Sequence, residues 1–406
     1  MHIPIQCTCK GHPGKVFCPV HTPQAAQCKV KELLTKEDFA SATPAPFVGH
    51  HNYPTLNVGI LSPPVQKDNT WEYDAPRHWA AHNYQIPRIV DFRSQLINSR
   101  FKADIKGNSR LLDISREVGI AKDPVDIEVS LSQKPKFRLN TDTYHAPTGP
   151  AAKLRELEVT SNPHIDSRVD KIVADTDLKA SVALTTLYSK NFDENFLARA
   201  LSVGSFGIGK DRKLVPTRWS ITATDDTLGK CLIREIKDYP PGDYQSYFGG
   251  YLGNYFLILT FPEVWSYELF EMYLPWLISN PLKFTTDHET YAGRRDYAES
   301  TAGGYYAARL AILEKLREKK RQATVLALRF ITGEYTTPLG VWVPRSAVRK
   351  AMEEKPLTFA SRELLLKYAE HFVRKKFGYD ITTITGRSVL LHSLGRQAKL
   401  SAFTSE

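Results

Sequence analysis

No stretch of this chain is apolar for long enough to cross a bilayer. The most apolar run, residues 255–261, falls far short of the roughly 20 residues a spanning helix needs. The opening, MHIPIQCTCK, lacks a basic leader followed by an apolar run, so no signal peptide is expected and a soluble cytoplasmic location is the expectation. Cysteine is scarce: of five in all, Cys7, Cys9, Cys18 and Cys28 crowd into the first 28 residues and Cys231 stands alone. A secreted disulfide scaffold would spread its cysteines through the fold, so that class is excluded. There is no internal repeat at a fixed period, which sets aside solenoids and propellers. Acids are outnumbered, 44 against 54 Lys and Arg, for a net charge of +10 and a pI near 9.2. That balance leans toward anionic partners: nucleic acid, nucleotides or an acidic protein.

What the chain does have is material for a core. It is 406 residues long, 42% apolar and 11% aromatic, which excludes a mostly disordered chain. Three regions separate by composition. Residues 1–30 are rich in Cys, His and Pro. Residues 31–384 carry the periodic segments and are expected to form a mixed α/β body, of one or two subdomains. Residues 385–406 hold a single acid, at the last position, and read as a flexible tail.

Within the body, helix is expected over 169–203, over 261–276 behind Pro262, over 304–331, and from Ser361 onward, where Ser is a good N-cap and Leu364, Leu365, Tyr368, Phe372 and Val373 follow at helical spacing. Strands are expected at 220–224, by alternation, and at 255–259, a short aromatic run bounded by Gly253-Asn254 and Pro262. The proline-rich passages 44–64 and 135–150 read as extended loops. Periodicity leaves the strand order open.

Four cysteines at one end of an intracellular chain point to a metal. Zinc takes four N or S ligands in a tetrahedron, and Cys7, Cys9, Cys18 and His21 supply them as two close pairs joined by a short loop. Cys7 and Cys9 stand closer than the usual two-residue gap, and His12 and Cys28 are alternative ligands. So short a segment has little else to hold its shape.

Gly204-Ser205-Phe206-Gly207-Ile208-Gly209-Lys210 has the spacing of a phosphate loop. The next residue is Asp211 where a magnesium-holding Ser or Thr is needed, a helical run precedes it, and Pro216 follows. A glycine turn is the simpler reading.

The most chemically loaded segment is 212–227. On a strand, Arg218, Ser220 and Thr222 face one way and form a row of donors for phosphate, with Lys213 nearby. Asp225 and Asp226 close the segment, and Asp175 and Asp177 add two more carboxylates for a divalent metal or a sugar hydroxyl. The bland alternative is a solvated edge strand in which Asp226 or Thr227 caps a helix beginning near Leu228. Arg294-Arg295 ahead of Thr301-Ala302-Gly303-Gly304 is a second candidate anion site, and the basic runs 315–321 and 374–376 are either solvated faces or contacts to a nucleic-acid backbone.

These residues together resemble the archaeal Nre family of DNA-repair proteins, nearly throughout the chain. The passages that carry the resemblance are 45–49 with Tyr53-Pro54 and 57–59, Asp91-Phe92-Arg93-Ser94, 169–171, 175–180, 213–227, 251–254, 301–309 and Pro338-Leu339-Gly340-Val341-Trp342. The resemblance implies an N-terminal zinc-finger-like segment, a role in repairing DNA damage alongside other repair proteins, and a C-terminal motif for the sliding clamp PCNA. The tail offers Gln397, Leu400 and Phe403 in that role, with Leu400 and Phe403 on one side of a helical turn.

Three functions stay open on sequence. The first is a repair factor that binds DNA or a nucleotide through Lys213, Arg218, Ser220 and Thr222 and docks on the clamp by its tail. The second is a metal-dependent nuclease or nucleotidyl-transfer enzyme, with magnesium or manganese on Asp175, Asp177, Asp225 and Asp226. The third is a scaffold that only bridges clamp and repair partners.

Overall fold

The computed structural model describes residues 37–135, 142–274 and 283–396. Cys7, Cys9, His12, Cys18, His21 and Cys28, and Gln397, Leu400 and Phe403, lie outside the described residues. No helix among the described residues is long and apolar enough to cross a membrane. Two units emerge. One runs up to Leu228 and takes in Thr336–Trp342; the other holds Gly229–Tyr335 and the residues from Val343 onward.

The first unit is built on β1 (Asp38–Thr43), β2 (Ala45–Val48), β3 (Thr55–Ser62), β4 (Ile97–Asp104), β5 (Val125–Leu131) and β6 (Ala151–Val159), in the sheet order β1-β5-β6-β4-β3-β2. The proline-rich stretch expected as loop therefore contains two strands. Pro46 is tolerated because β2 is short and stands at the end of that order. Alternation sends Ile60, Ile97, Val125, Ile127, Val129, Leu131 and Leu157 into one core, with Ile114 and Val118 of the Arg110–Ile120 helix packed against them. Ser109 caps that helix, its hydroxyl accepting from Leu112 N at 3.4 Å.

The second unit holds β7 (Tyr244–Tyr251), β8 (Asn254–Phe261), β9 (Ser266–Tyr273), β10 (Phe284–Glu289), β11 (Thr324–Ile331) and β12 (Leu357–Phe359), in the order β10-β9-β11-β8-β7-β12. The expected strand at 255–259 is β8. The expected helix from Ser361 is Arg362–Phe377, with the Ser361 hydroxyl accepting from Leu364 N at 3.3 Å. Leu365, Ala369 and Val373 of this helix lie on Leu257, Leu259, Leu326 and Leu328.

Three expectations are corrected. Residues 266–273 form β9, not a helix: Tyr267, Glu268, Leu269 and Phe270 are buried in succession, so both faces of the strand are covered and its apolar positions do not alternate. Residues 304–331 are a helix, Ala302–Lys319, and then β11; Lys320 ends the helix at φ 51°. Residues 220–224 are not a strand. Helix begins at Thr217 and runs to Ile236, placing Asp225, Asp226 and Thr227 inside it and not at its cap. β-branched Thr and Ile suggested a strand, but Ser220, Thr224 and Leu228 recur every four residues and all three are fully buried, which is a helical stripe.

Candidate nucleic-acid interface

In the first unit, three segments far apart in sequence converge: the turn 49–54 between β2 and β3, the described part of the β5–β6 connection, 142–150, and the start of the Thr217–Ile236 helix. Val48 N donates to the Thr217 hydroxyl at 2.9 Å, joining the turn to the helix. Arg93, buried, donates from Nε to Pro147 O at 2.7 Å and pairs with Asp74 at 2.7 Å, bracing the end of the 142–150 segment. Burial pulls the Arg93 pKa down from its ordinary value, and Asp74 offsets only part of that. From the other side Val341 N donates to Tyr144 O at 3.0 Å. Gly340 permits this approach. Its φ is +100°, and a Cβ there would stand 2.6 Å from the His145 carbonyl carbon.

On this support sits Arg218. Its Nη1 lies 3.3 Å from His50 Nε2, and its guanidinium covers the Tyr144 ring at 4.0 Å. The His50 ring lies 3.9 Å from that of His51. Burial first, then His51 and Arg218, hold the His50 pKa below its ordinary value, while Asp142 pulls it up. A neutral His50 is what the geometry needs, since only an unprotonated Nε2 accepts from a guanidinium. Beside them Tyr53 and Trp219 pair at 5.6 Å between rings, each 46% exposed. Among the described residues no carboxylate forms an ion pair with Arg218.

The other expected site residues scatter. On a helix, positions two apart point to different sides, so Ser220 turns inward and its hydroxyl donates to Thr217 O at 2.9 Å. Thr222 shares the Arg218 side, but its hydroxyl donates back to Arg218 O at 3.3 Å. The row of phosphate donors therefore reduces to Arg218. Lys213 is exposed just before the helix. Asp225 is buried and Asp226 half-buried on the helix. Asp175 and Asp177 belong to a separate turn in which Asp177 N donates to Asp175 Oδ1 at 3.0 Å. Arg212 ties that turn to the glycine loop, donating to Val173 O, Asp175 O and Gly207 O at 2.8–2.9 Å. Among the described residues no three or more His, Cys, Asp or Glu side chains form a group that could hold a metal ion.

The glycine loop turns at Gly204 and Gly207, at φ 76° and 119°, as expected, and ends in a short 3-10 helix, Gly209–Asp211. In the second unit the Arg294 site is already neutralised: Arg294 pairs with Asp287 at 2.9 Å, and Asp287 also accepts from Thr301 N at 2.7 Å. The basic runs are partly neutralised by Lys315–Glu318 at 2.8 Å and Arg374–Asp380 at 3.2 Å.

The sequence profile described as Archaeal Nre, N-terminal, matches residues 13–278, and that described as Archaeal Nre, C-terminal, matches 289–403. The chain belongs to the archaeal Nre family. It is 34% identical over 403 residues to the DNA repair protein NreB of Archaeoglobus fulgidus, covering 98% of this chain and 99% of that one. Similarity to the DNA repair protein NreA of Haloferax volcanii is 36% over 327 residues, 78% of each chain. The NreA of Archaeoglobus fulgidus is 33% identical over 390 residues, 92% of this chain and 95% of its own. No solved structure matches. All the residues around Arg218 fall in the N-terminal Nre region. Sequence reasoning marked Trp219 only as part of the segment 212–227 and missed His50, His51 and Tyr144, although Gly49-His50-His51-Asn52-Tyr53-Pro54 is a turn-forming run that sets two imidazoles and a phenol side by side.

Proposed function

We propose that this Nre protein is a DNA-repair factor that engages DNA around Arg218 and docks on the sliding clamp PCNA through Gln397, Leu400 and Phe403, with zinc on its N-terminal cysteine segment. The observation that carries the DNA reading is Arg218 itself. An oriented guanidinium with no carboxylate partner among the described residues stands next to two half-exposed aromatic rings. A guanidinium binds phosphate oxygens in a fixed fork, and an exposed Tyr–Trp pair offers faces on which bases stack. The net charge of +10 adds long-range attraction to a polyanion, and the relatives named as DNA repair proteins supply the context.

The test is a fluorescence-anisotropy titration of labelled DNA with the intact chain, Arg218→Ala and Trp219→Ala. Removing one stacking ring costs about 1–3 kcal/mol, so each variant should bind roughly five- to 150-fold more weakly with unchanged melting. Wild-type affinity in both variants refutes the assignment.

A further inference from the structure

The strands of the first unit carry more than a scaffold. β1 and β2 are separated by Pro44 alone. β1 pairs with β5 from Asp38↔Ser130 to Thr43↔Val125, and β2 pairs with β3 from Ala45↔Leu61 to Val48↔Val58. The Thr43 hydroxyl reaches Leu61 O at 2.8 Å. The two are halves of one bent strand that closes the sheet on itself. Counted so, five strands in chain order neighbour one another as 1-2-3-5-4-1. The third and fifth are parallel, with Asn98↔Ala151 and Arg100↔Lys153 in register; the other pairs are antiparallel. A single helix, Arg110–Ile120, joins the third strand to the fourth and packs Ile114 and Val118 into the barrel core. This is the connectivity of the five-stranded Greek-key barrel that takes oligonucleotides or oligosaccharides across its second and third strands, between its 1–2 and 4–5 loops. Here the 1–2 loop is 49–54 and the 4–5 loop contains 142–150. They are the same two segments that meet Arg218.

Connectivity alone assigns no ligand, and the side chains of the face decide. Because Val58, Ile60, Ile97 and Phe101 point inward, alternation turns Asn57 and Gly59 of β3 and Asn98, Arg100 and Lys102 of β4 outward, with Lys153 of β6 beside Arg100. Lys102 and Lys153 are exposed and Arg100 is half-buried. None of the three forms an ion pair among the described residues. Gly59 keeps the face flat: a Cβ there would stand 1.8 Å from the end of the Asn98 side-chain amide. In the orientation that turns its amide oxygen to the guanidinium, buried Asn98 accepts from Arg100 Nη2 at 3.1 Å and Nε at 3.2 Å. That neutral acceptor aims Arg100 and leaves its charge uncompensated. The face over β1, β5 and β6 has the opposite character: Asp38, Glu128, Glu156 and Glu158 line it with one base, Arg155, which pairs with Asp38 at 3.0 Å, so a phosphate chain is attracted to one side of the barrel and repelled from the other.

We propose that the outer face of β3, β4 and β6 binds single-stranded DNA, the backbone lying along Lys102, Arg100 and Lys153 and the bases turning onto Tyr53 and Trp219. The proposal rests on the DNA reading above and narrows it to a single strand with a defined path. A duplex presents its bases already stacked on one another, so only unpaired bases profit from the two exposed rings.

The experiment uses the full chain and a labelled oligonucleotide of about 20 nucleotides, longer than the roughly 4–16 that one such barrel covers, as a single strand and as a duplex. The single strand should bind at least about tenfold more tightly. Arg100→Gln/Lys102→Gln/Lys153→Gln should weaken it about tenfold or more and reduce the slope of log affinity against log salt by about 2, at roughly 0.7 for each phosphate no longer neutralised. Lys102→Gln/Lys153→Gln, altering exposed positions only, should show a smaller loss in the same direction. Glu128→Gln/Glu156→Gln on the acidic face should not weaken binding. Equal or tighter binding of the duplex overturns the proposal, as does wild-type affinity and salt slope in the Lys102/Lys153 variant. If in either case Arg218→Ala still weakens binding, the broader DNA reading stands while this path falls. If the intact chain binds neither form, both fall.

Discussion

Arg218 Nη1 stands 3.3 Å from His50 Nε2, and that hydrogen bond exists only while the imidazole is unprotonated on that nitrogen. Burial, His51 and Arg218 hold the His50 pKa below its ordinary 6.5. The sign follows from proton counting. Below about pH 6.5 the unfolded chain takes up a proton that the folded chain resists, so stability is present at neutral pH and is lost as pH falls through the ordinary value toward the folded one. His145, with its side chain 11% exposed, is shifted the same way by burial, and so is His78. The melting temperature should therefore fall between about pH 7.5 and 5.5, and less steeply in His50→Gln, since one of three such histidines among the described residues is gone. Parallel curves for wild type and variant would show that His50 is not among the groups responsible.

In the second unit Arg309 Nη1 pairs with Glu289 Oε2 at 2.7 Å with both side chains fully buried, and Trp265 Nε1 donates to Glu289 Oε1 at 3.0 Å. Removing one member of such a buried pair costs about 3–5 kcal/mol. Glu289→Ala should lose that much in urea unfolding. Glu289→Leu/Arg309→Met should lose less than the sum of the two single changes, because the two changes remove one shared interaction. Additive losses in the double variant would refute the coupling. The passage 301–309, matched as a signature on sequence, is thus explained in part by a buried ion pair and by Gly304, where a Cβ would stand 2.5 Å from Glu271 Oε1.

Elements with a local signature were legible: Ser361 announced the Arg362–Phe377 helix, and the bounded aromatic run announced β8. The start of the Thr217–Ile236 helix was misread because Thr217, Ile221, Thr222 and Thr224 are β-branched, and the buried line of Ser220, Thr224 and Leu228 reaches beyond the short window in which strand alternation was read. The segment 212–227 stood out as chemically loaded, but its geometry came out wrong, since changing the period from two to 3.6 redistributes every side chain. What lay beyond local pattern was convergence. Residues 50, 144 and 218 meet only because a bent strand closes a sheet, and no propensity encodes that.

Zinc offers a direct measurement. The intact chain should carry about one zinc, the number four N or S ligands satisfy. Cys18→Ser should release it, because Cys18 and His21 form the better-spaced arm. Elemental analysis of the purified protein reads both. Unchanged zinc in the variant moves the site to other ligands, with Cys28 and His12 next in line.

The tail can be tested apart from the body. Glu268, fully buried on β9, accepts from Val389 N and Leu390 N at 3.1 Å and so holds the start of the Val389–Arg396 helix against the second unit's sheet. The carboxylate meets the positive end of that helix. Gln397, Leu400 and Phe403 follow directly in sequence. The proposed docking has Leu400 and Phe403, three residues apart, fill one apolar pocket of the clamp with Gln397 bonding at its rim, and Arg396 and Lys399 hasten encounter with an acidic surface. Thr404 stands where many such peptides place a second aromatic, so modest affinity is expected. A pull-down with PCNA should retain the intact chain and lose both Leu400→Ala/Phe403→Ala and a chain ending at Gly395. Both shortened or altered chains should bind DNA as the intact one does, since the DNA face proposed on the barrel is built from other residues. Undiminished clamp binding by both would remove the tail from the mechanism and move clamp docking onto the body.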